Sequence, residues 1–223
     1  MRSKTIKRMF DIFAALFGLI LLSPLLLTIC LAILVTMGFP IFYRQVRPEK
    51  YGRPFEILKF RTMNGARYSN GDLLPDSERI TSVGRFLRTT SMDELPQLIN
   101  VLNGDMSIVG PRPLLIKYLD LFTPEQARRQ SVKPGITGWA QVNGRNLLPL
   151  ETKIELDVWY VDNWNLWLDM QIIYKTFWVV LKGEGVQPEG FETMEDCLNE
   201  TLNANGCPDS STQSSSKNWR DAG

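Results

Sequence analysis

The 223-residue sequence contains no histidine. That absence removes Ser-His-Asp and Cys-His triads, histidine general bases and histidine-based zinc sites, so any catalysis must run on other side chains. Cysteine is scarce as well: Cys30, Cys197 and Cys207 are scattered, with no disulfide framework and no metal-ligand spacing. A reducing cytoplasmic setting fits that usage. Net charge is nearly absent, at +1, because 25 Lys and Arg almost cancel 24 Asp and Glu. A nucleic-acid partner drawn by bulk positive charge is therefore not expected. The length suits one catalytic domain with a sizeable core, a membrane element and a tail.

Charge is also missing locally. Residues 12–40 carry no charged side chain and are rich in Leu, Ile, Val and Phe, a run that a soluble core helix rarely sustains. It is longer than the apolar part of a cleavable signal and lacks a small-residue cleavage site, so it is expected to stay attached. As one helix, about 29 residues would reach roughly 43 Å, more than the ~30 Å hydrocarbon thickness. Ser23-Pro24 falls near the middle, where proline removes an intrahelical hydrogen bond and clashes with the preceding turn. A sharp bend is expected there, with the Ser23 hydroxyl available to a freed carbonyl. Each arm is too short to span comfortably, but two arms can enter and leave by one face. Arg2, Lys4, Lys7 and Arg8 precede the run, and Arg44, Arg47, Lys50 and Arg53 outweigh Glu49 after it, which places both ends on the cytoplasmic side. A re-entrant hairpin is favoured, with a proline-kinked single-pass anchor as the alternative.

Residues 41–46 and 55–63 read as two short strands around a loop with Pro48, Gly52 and Pro54. Helices are expected over 82–90, 94–102 (ending at Asn103-Gly104), 113–121, 124–130, 151–162 and 167–181. The fold class is mainly α with a small β-hairpin, α+β. Its divisions are a basic flank and membrane hairpin (1–43), a cytosolic, membrane-interfacial catalytic domain (44–186) and a polar tail (187–223). Trp159, Tyr160, Trp164, Trp167, Tyr174, Phe177 and Trp178 crowd one stretch, as in interfacial amphipathic helices, although core packing explains about half of them. The Ser/Asn-rich end has too few apolar residues to offset the cost of ordering.

The chemistry-bearing residues concentrate between Arg85 and Pro113. Ser91 or Asp93 can cap a helix whose first turn holds Pro96, and such an N-terminus favours phosphate. Asp93 and Glu94 side by side, next to a phosphate, would need a cation, with Mg²⁺ the natural choice. Neighbouring helical residues point about 100° apart, so the pair divides labour, one as nucleophile and the other as base. Arg112 lies between two prolines, whose fixed φ limits the backbone and readies the guanidinium for bidentate phosphate contact. Arg88, about one turn before the acids, is a second clamp. The bland counterpart of each feature is an ordinary acidic helix cap and a surface turn.

An ordered series of motifs gives the chain a close resemblance to the bacterial sugar transferases, the monotopic polyprenol-phosphate phosphoglycosyl transferases. The series comprises Lys7-Arg8 with Phe10-Asp11, Ser23-Pro24, Phe42-Tyr-Arg-Gln-Val46, Leu58-Lys-Phe-Arg-Thr-Met63, Asp93-Glu-Leu-Pro-Gln97 and Val109-Gly-Pro-Arg-Pro113. It continues with Lys133-Pro-Gly-Ile-Thr-Gly-Trp-Ala-Gln-Val-Asn-Gly-Arg145 and Asp157-Val-Trp-Tyr160, covering the chain to about residue 186. Such a series is far more specific than one short motif.

The resemblance implies that Asp93 attacks the β-phosphorus of a UDP-sugar, releasing UMP and leaving a phospho-sugar on the enzyme. Polyprenyl (undecaprenyl) phosphate then takes the phospho-sugar. It implies that Glu94 activates the acceptor or assists transfer, and that Mg²⁺, with Asp93 as its protein ligand, neutralises the diphosphate. Arg88, Arg112 and Arg145 would hold phosphates, and Asp157 would support the substrate site. The resemblance also implies a re-entrant segment bent at Ser23-Pro24, on the cytoplasmic face of the bacterial inner membrane. Anionic lipids would be partners, with downstream glycosyltransferases of glycan assembly next in line. The stretch Gly185-Val-Gln-Pro-Glu-Gly-Phe-Glu-Thr-Met194 is similar to the ends of small members that use UDP-N-acetylated amino sugars, such as UDP-diacetylbacillosamine. Alternatives are a UDP-hexose donor, or a non-catalytic membrane scaffold whose Asp93-Glu94 merely caps a helix and whose basic flanks bind anionic lipid.

Overall fold

A computed structural model describes residues 2–144 and 148–182; the expected polar tail lies outside them. The apolar run forms α1 (Arg2–Leu21) and α2 (Ser23–Met37), which meet at a bend of 62°. The cause is local. Pro24 has no N–H for the carbonyl four residues earlier, that of Ile20, and the Ser23 hydroxyl donates to that carbonyl at 2.8 Å. Leu22 N–H still reaches the Gly18 carbonyl at 2.9 Å, and Leu26 N–H that of Leu22 at 2.8 Å. The ladder therefore turns a corner without leaving the freed carbonyl bare. No single helix among the described residues is long and apolar enough to cross a membrane.

Next come β1 (Phe42–Pro48) and β2 (Pro54–Phe60), antiparallel, with Phe42 opposite Phe60 and Pro48 opposite Pro54. The expected hairpin is present, one or more residues displaced at its ends. Two helices follow, α3 (Asp76–Arg79) and α4 (Ser82–Thr89). Thr81 caps α4 by accepting from Gly84 N–H at 3.0 Å. After a tight 3-10 turn at Met92–Glu94, α5 (Gln97–Asn103) ends on Gly104, whose φ of 97° is the left-handed conformation that glycine tolerates. The helix expected over 94–102 thus starts three residues late.

Strand β3 (Ser107–Val109) runs parallel to β4 (Gly135–Thr137), a pairing with no strong sequence signal because each strand has three residues. Between them lies α6 (Pro124–Ala127), closed by a Thr123/Gln126 capping box. Two expected helices are corrected here. Residues 113–121 yield only a 3-10 turn at Ile116–Leu121, since the backbone is still extended at Leu115. Residues 124–130 break into α6 and a 3-10 turn at Arg128–Ser131. The chain then forms α7 (Trp139–Val142), α8 (Leu150–Asn163) and α9 (Leu166–Lys182). The result is mostly helical with minor β, as the α+β reading expects.

Both arms of the apolar run pack into the globular core. Ala15 of α1 joins Phe55, Ile57, Val101 and Met106, while Ile29 and Ile33 of α2 join Phe60 and Leu87, with Met92 and Leu95 against them. Met92 and Leu95 bracket Asp93-Glu94, so α2 supports the dyad from beneath. Fully buried members such as Val101 and Leu87 each contribute about 1.5–3 kcal/mol. A third core gathers Val109, Tyr160, Leu168 and Ile172. Of the crowded aromatics, Tyr160 is buried and Trp164 half-buried, whereas Trp159, Trp167, Tyr174, Phe177 and Trp178 are exposed. Exposed apolar side chains also line the outer faces of α1 and α2, with Phe13 at 70% and Val35 at 84%.

Candidate active site

The dyad does not sit where a helix cap would put it. Ser91 adopts a left-handed conformation (φ 57°) and makes no capping bond, and Pro96 rather than Asp93 precedes α5. The expected cap at Ser91 or Asp93 is therefore corrected: the 3-10 turn Met92–Glu94 intervenes, and Asp93 is turned into a buried position. Positive potential at this place comes from side chains instead.

Three cations converge. Lys59 Nζ lies 2.7 Å from Glu94 Oε1. The Arg112 fork spans the same carboxylate, one nitrogen 3.0 Å from Oε2 and the other on Oε1. Arg88 donates from Nε to the Thr62 hydroxyl at 3.1 Å and is exposed, and its charge also acts on Asp93. Among the described residues no hydrogen bond or ion pair reaches the Asp93 carboxylate. The bidentate geometry expected of Arg112 toward phosphate is thus used here on Glu94.

The two acids differ accordingly. Burial and the adjacent Glu94 charge push Asp93 up to about 6, against the pull of Lys59, Arg112 and Arg88. Burial would also raise Glu94, but Arg112 and Lys59 more than reverse it and hold Glu94 well below the ordinary carboxylate range. Glu94 is ionised and a poor proton acceptor while both cations hold it, whereas Asp93 is ionised near neutrality and has no partner among the described residues.

Arg112 is anchored through its backbone. Gly110 N–H donates to the Thr137 carbonyl at 2.9 Å, and Gly135 N–H to the Pro111 carbonyl at 3.0 Å. At Gly110 and Gly135 an added Cβ would fall 2.4 Å or less from facing backbone, so only glycine permits this approach of β3 and β4. The Val109 carbonyl accepts from Lys7 Nζ at 3.0 Å. Asp157, on α8, meets neither acid; it pairs with Arg129, which donates from Nε at 3.1 Å and from a terminal nitrogen at 2.7 Å. Arg145 lies outside the described residues.

Lys59 and Arg129 escaped sequence reasoning. A signal existed for Lys59: Phe55 and Ile57 are buried, and strand alternation puts residue 59 on that same face. A lysine where an apolar residue belongs marks a buried charge partner. No local pattern distinguishes Arg129 from Arg128. Among the described residues no group of three or more acids or cysteines could hold a metal. With both Glu94 oxygens engaged, Asp93 is the dyad carboxylate left to ligate a cation. That suits Mg²⁺, which commonly takes one or two carboxylates and completes its shell with substrate phosphates and water.

Comparison with known proteins identifies the family of the chain. The family model described as bacterial sugar transferase matches residues 2–183. The uncharacterized sugar transferase EpsL of Bacillus subtilis is 54% identical over 190 residues, 85% of this chain and 94% of that protein. The undecaprenyl-phosphate galactose phosphotransferase of Salmonella typhimurium is 40% identical over 200 residues, 82% of this chain and 42% of that protein. The UDP-glucose:undecaprenyl-phosphate glucose-1-phosphate transferase of Klebsiella pneumoniae is 42% identical over 187 residues, 79% of this chain and 40% of that protein. The chain thus spans less than half the length of these two larger relatives. Taken with the dyad and its cations, the match establishes that this chain belongs to the bacterial sugar transferase family.

Proposed function

We propose that this protein transfers a sugar-1-phosphate from a UDP-sugar to undecaprenyl phosphate through a covalent intermediate on Asp93. The carrying observation is the buried Asp93 carboxylate, without a partner among the described residues, beside Lys59, Arg88 and Arg112. In the first step an Asp93 oxygen attacks the β-phosphorus, the bond from that phosphorus to the bridging oxygen breaks, and UMP leaves with the electron pair. In the second, a phosphate oxygen of the lipid attacks the same phosphorus, forms the diphosphate and returns Asp93 as a carboxylate. Arg88, Arg112 and Lys59 balance the anionic oxygens. Glu94 becomes an effective base for the acceptor once substrate phosphates draw Arg112 and Lys59 from it. Mg²⁺ ligated by Asp93 and the diphosphate would supply further charge neutralisation.

The acceptor places the reaction at a membrane, and three features support a re-entrant hairpin on the cytoplasmic face. They are the 62° bend, the basic residues at both ends of the apolar run and the exposed apolar faces of α1 and α2. Exposed aromatics on α9 fit an interfacial helix. The donor we propose is a UDP-N-acetylated amino sugar such as UDP-diacetylbacillosamine. A second reading, a UDP-hexose, is favoured by relatives named for galactose and glucose transfer. Purified protein offered a panel of UDP-sugars with undecaprenyl phosphate and Mg²⁺ is expected to release UMP from one class. Silence with every donor refutes the transferase, and a hexose preference refutes the amino-sugar donor.

A further inference from the structure

The segment Pro111-Arg112-Pro113 cannot be held as ordinary backbone is, because two of its three residues lack an N–H. Its carbonyls must provide the anchorage. The Pro111 carbonyl accepts from Gly135 N–H at 3.0 Å. The Arg112 carbonyl accepts from a terminal nitrogen of Arg129 at 2.7 Å. That guanidinium is fixed in turn by Asp157, at 3.1 and 2.7 Å, and lies over the Phe122 ring at 5.7 Å. Arg129 and Asp157 are each only 3% exposed. The charges that shift Asp93 are those of Glu94, Lys59, Arg112 and Arg88, those that shift Glu94 are Arg112 and Lys59, and Asp157 is in neither set.

A buried ion pair is a poor device for stability, since apolar residues of similar volume usually do as well or better. Its place directly behind a reactive arginine fits a different use. We infer that Arg129 and Asp157 are positioning residues of Arg112: Asp157 orients Arg129, and Arg129 holds the Arg112 carbonyl. The Arg112 fork is thereby aimed at Glu94 and at the donor phosphates. This reassigns Asp157 from direct substrate support to a role exerted through Arg112, and it rests on the transferase reading.

The test is a mutant cycle on the full chain in phosphatidylethanolamine/phosphatidylglycerol nanodiscs, measuring UMP release from the UDP-sugar found in the donor screen. The double variant Arg129→Met/Asp157→Leu removes the hold without stranding a buried charge. It is expected to melt with the parent protein yet lose roughly tenfold to a hundredfold in kcat/KM. In an Arg112→Ala background the same pair should change kcat/KM by less than about twofold, because its effect passes through Arg112. If the double variant does not fold, Arg129→Lys, which keeps a cation beside Asp157 but lacks the second nitrogen that reaches the Arg112 carbonyl, takes its place in the cycle. Losses that multiply across the cycle, or a double variant as active as the parent, overturn the positioning role. A parent protein silent with every donor overturns the transferase reading and this role with it.

Discussion

Two charged clusters, both assembled from residues far apart in sequence, are finished differently. In one, Asp169 Oδ1 accepts from the Tyr160 hydroxyl at 2.7 Å, and Oδ2 from Lys7 at 2.6 Å and Trp164 Nε1 at 3.1 Å. Lys7 also reaches the Val109 carbonyl. Burial and the Asp169 charge push the Tyr160 hydroxyl far above its ordinary range, so it stays a neutral donor. In the other, Lys59, Arg88 and Arg112 surround two acids, and Asp93 has no partner among the described residues. The satisfied cluster ties α1, α8, α9 and β3 together. The unsatisfied one keeps a carboxylate and excess positive charge ready for an anionic ligand. Stability belongs to the first and reactivity to the second.

Substitutions should separate the two in order of size. Asp93→Asn is expected to lower UMP release by roughly a thousandfold or more while leaving the melting temperature unchanged or higher, because it removes a buried charge. A large fall in melting temperature would place Asp93 with the structural cluster. Arg112→Ala should cost about a hundredfold to a thousandfold in kcat. Asp169→Asn should act in the opposite sense, losing about 1–3 kcal/mol of stability because Lys7 loses its ion-pair partner and keeps only the nearby charge of Asp11. Activity per folded molecule, measured below the melting range, should stay within about threefold of the parent protein. Unfolding curves and UMP assays on one preparation decide between these outcomes.

The acids also predict opposite pH responses. Asp93 is raised to about 6 from 3.8, so the folded state holds this proton more tightly than the unfolded chain. Its contribution to stability therefore falls as pH rises from about 4 to about 6. Glu94 is lowered, so its contribution is present above its unfolded value and is lost as pH falls toward its folded one. The UMP burst should follow Asp93, declining about tenfold per pH unit below about 6. Glu94→Gln should move that limb to lower pH, since it removes the charge that raises Asp93 and frees two cations that lower it. A limb that stays in place would show that another group controls the burst. The smallest effect is expected at Ser23→Ala, about 0.5–1.5 kcal/mol for one hydrogen bond to the Ile20 carbonyl.

What could be read in advance depended on the range of the interaction. The Ser23-Pro24 bend and its hydroxyl-to-carbonyl bond are consequences of neighbours in sequence, and the hairpin follows from its loop of Pro, Gly and Pro. Asp93, Glu94 and Arg112 stood out by residue type and backbone context. Their real arrangement did not, because Lys59 is 35 residues from Glu94 and Arg112 is 18 away. The cap assigned to Ser91 or Asp93 failed on a single left-handed residue that no local rule demanded. Arg129 and the Lys7–Asp169 tie rest on tertiary packing, the latter spanning 162 residues, and so were beyond any window of local pattern.

The most direct measurement is intact-protein and peptide mass spectrometry after incubation with the UDP-sugar donor and Mg²⁺ but no lipid acceptor. A double displacement predicts one equivalent of UMP and a sugar-phosphate adduct on the peptide carrying Asp93, discharged on adding undecaprenyl phosphate. UMP formed only when acceptor is present, with no adduct at any time, would mean direct transfer between substrates and would contradict Asp93 as the attacking group.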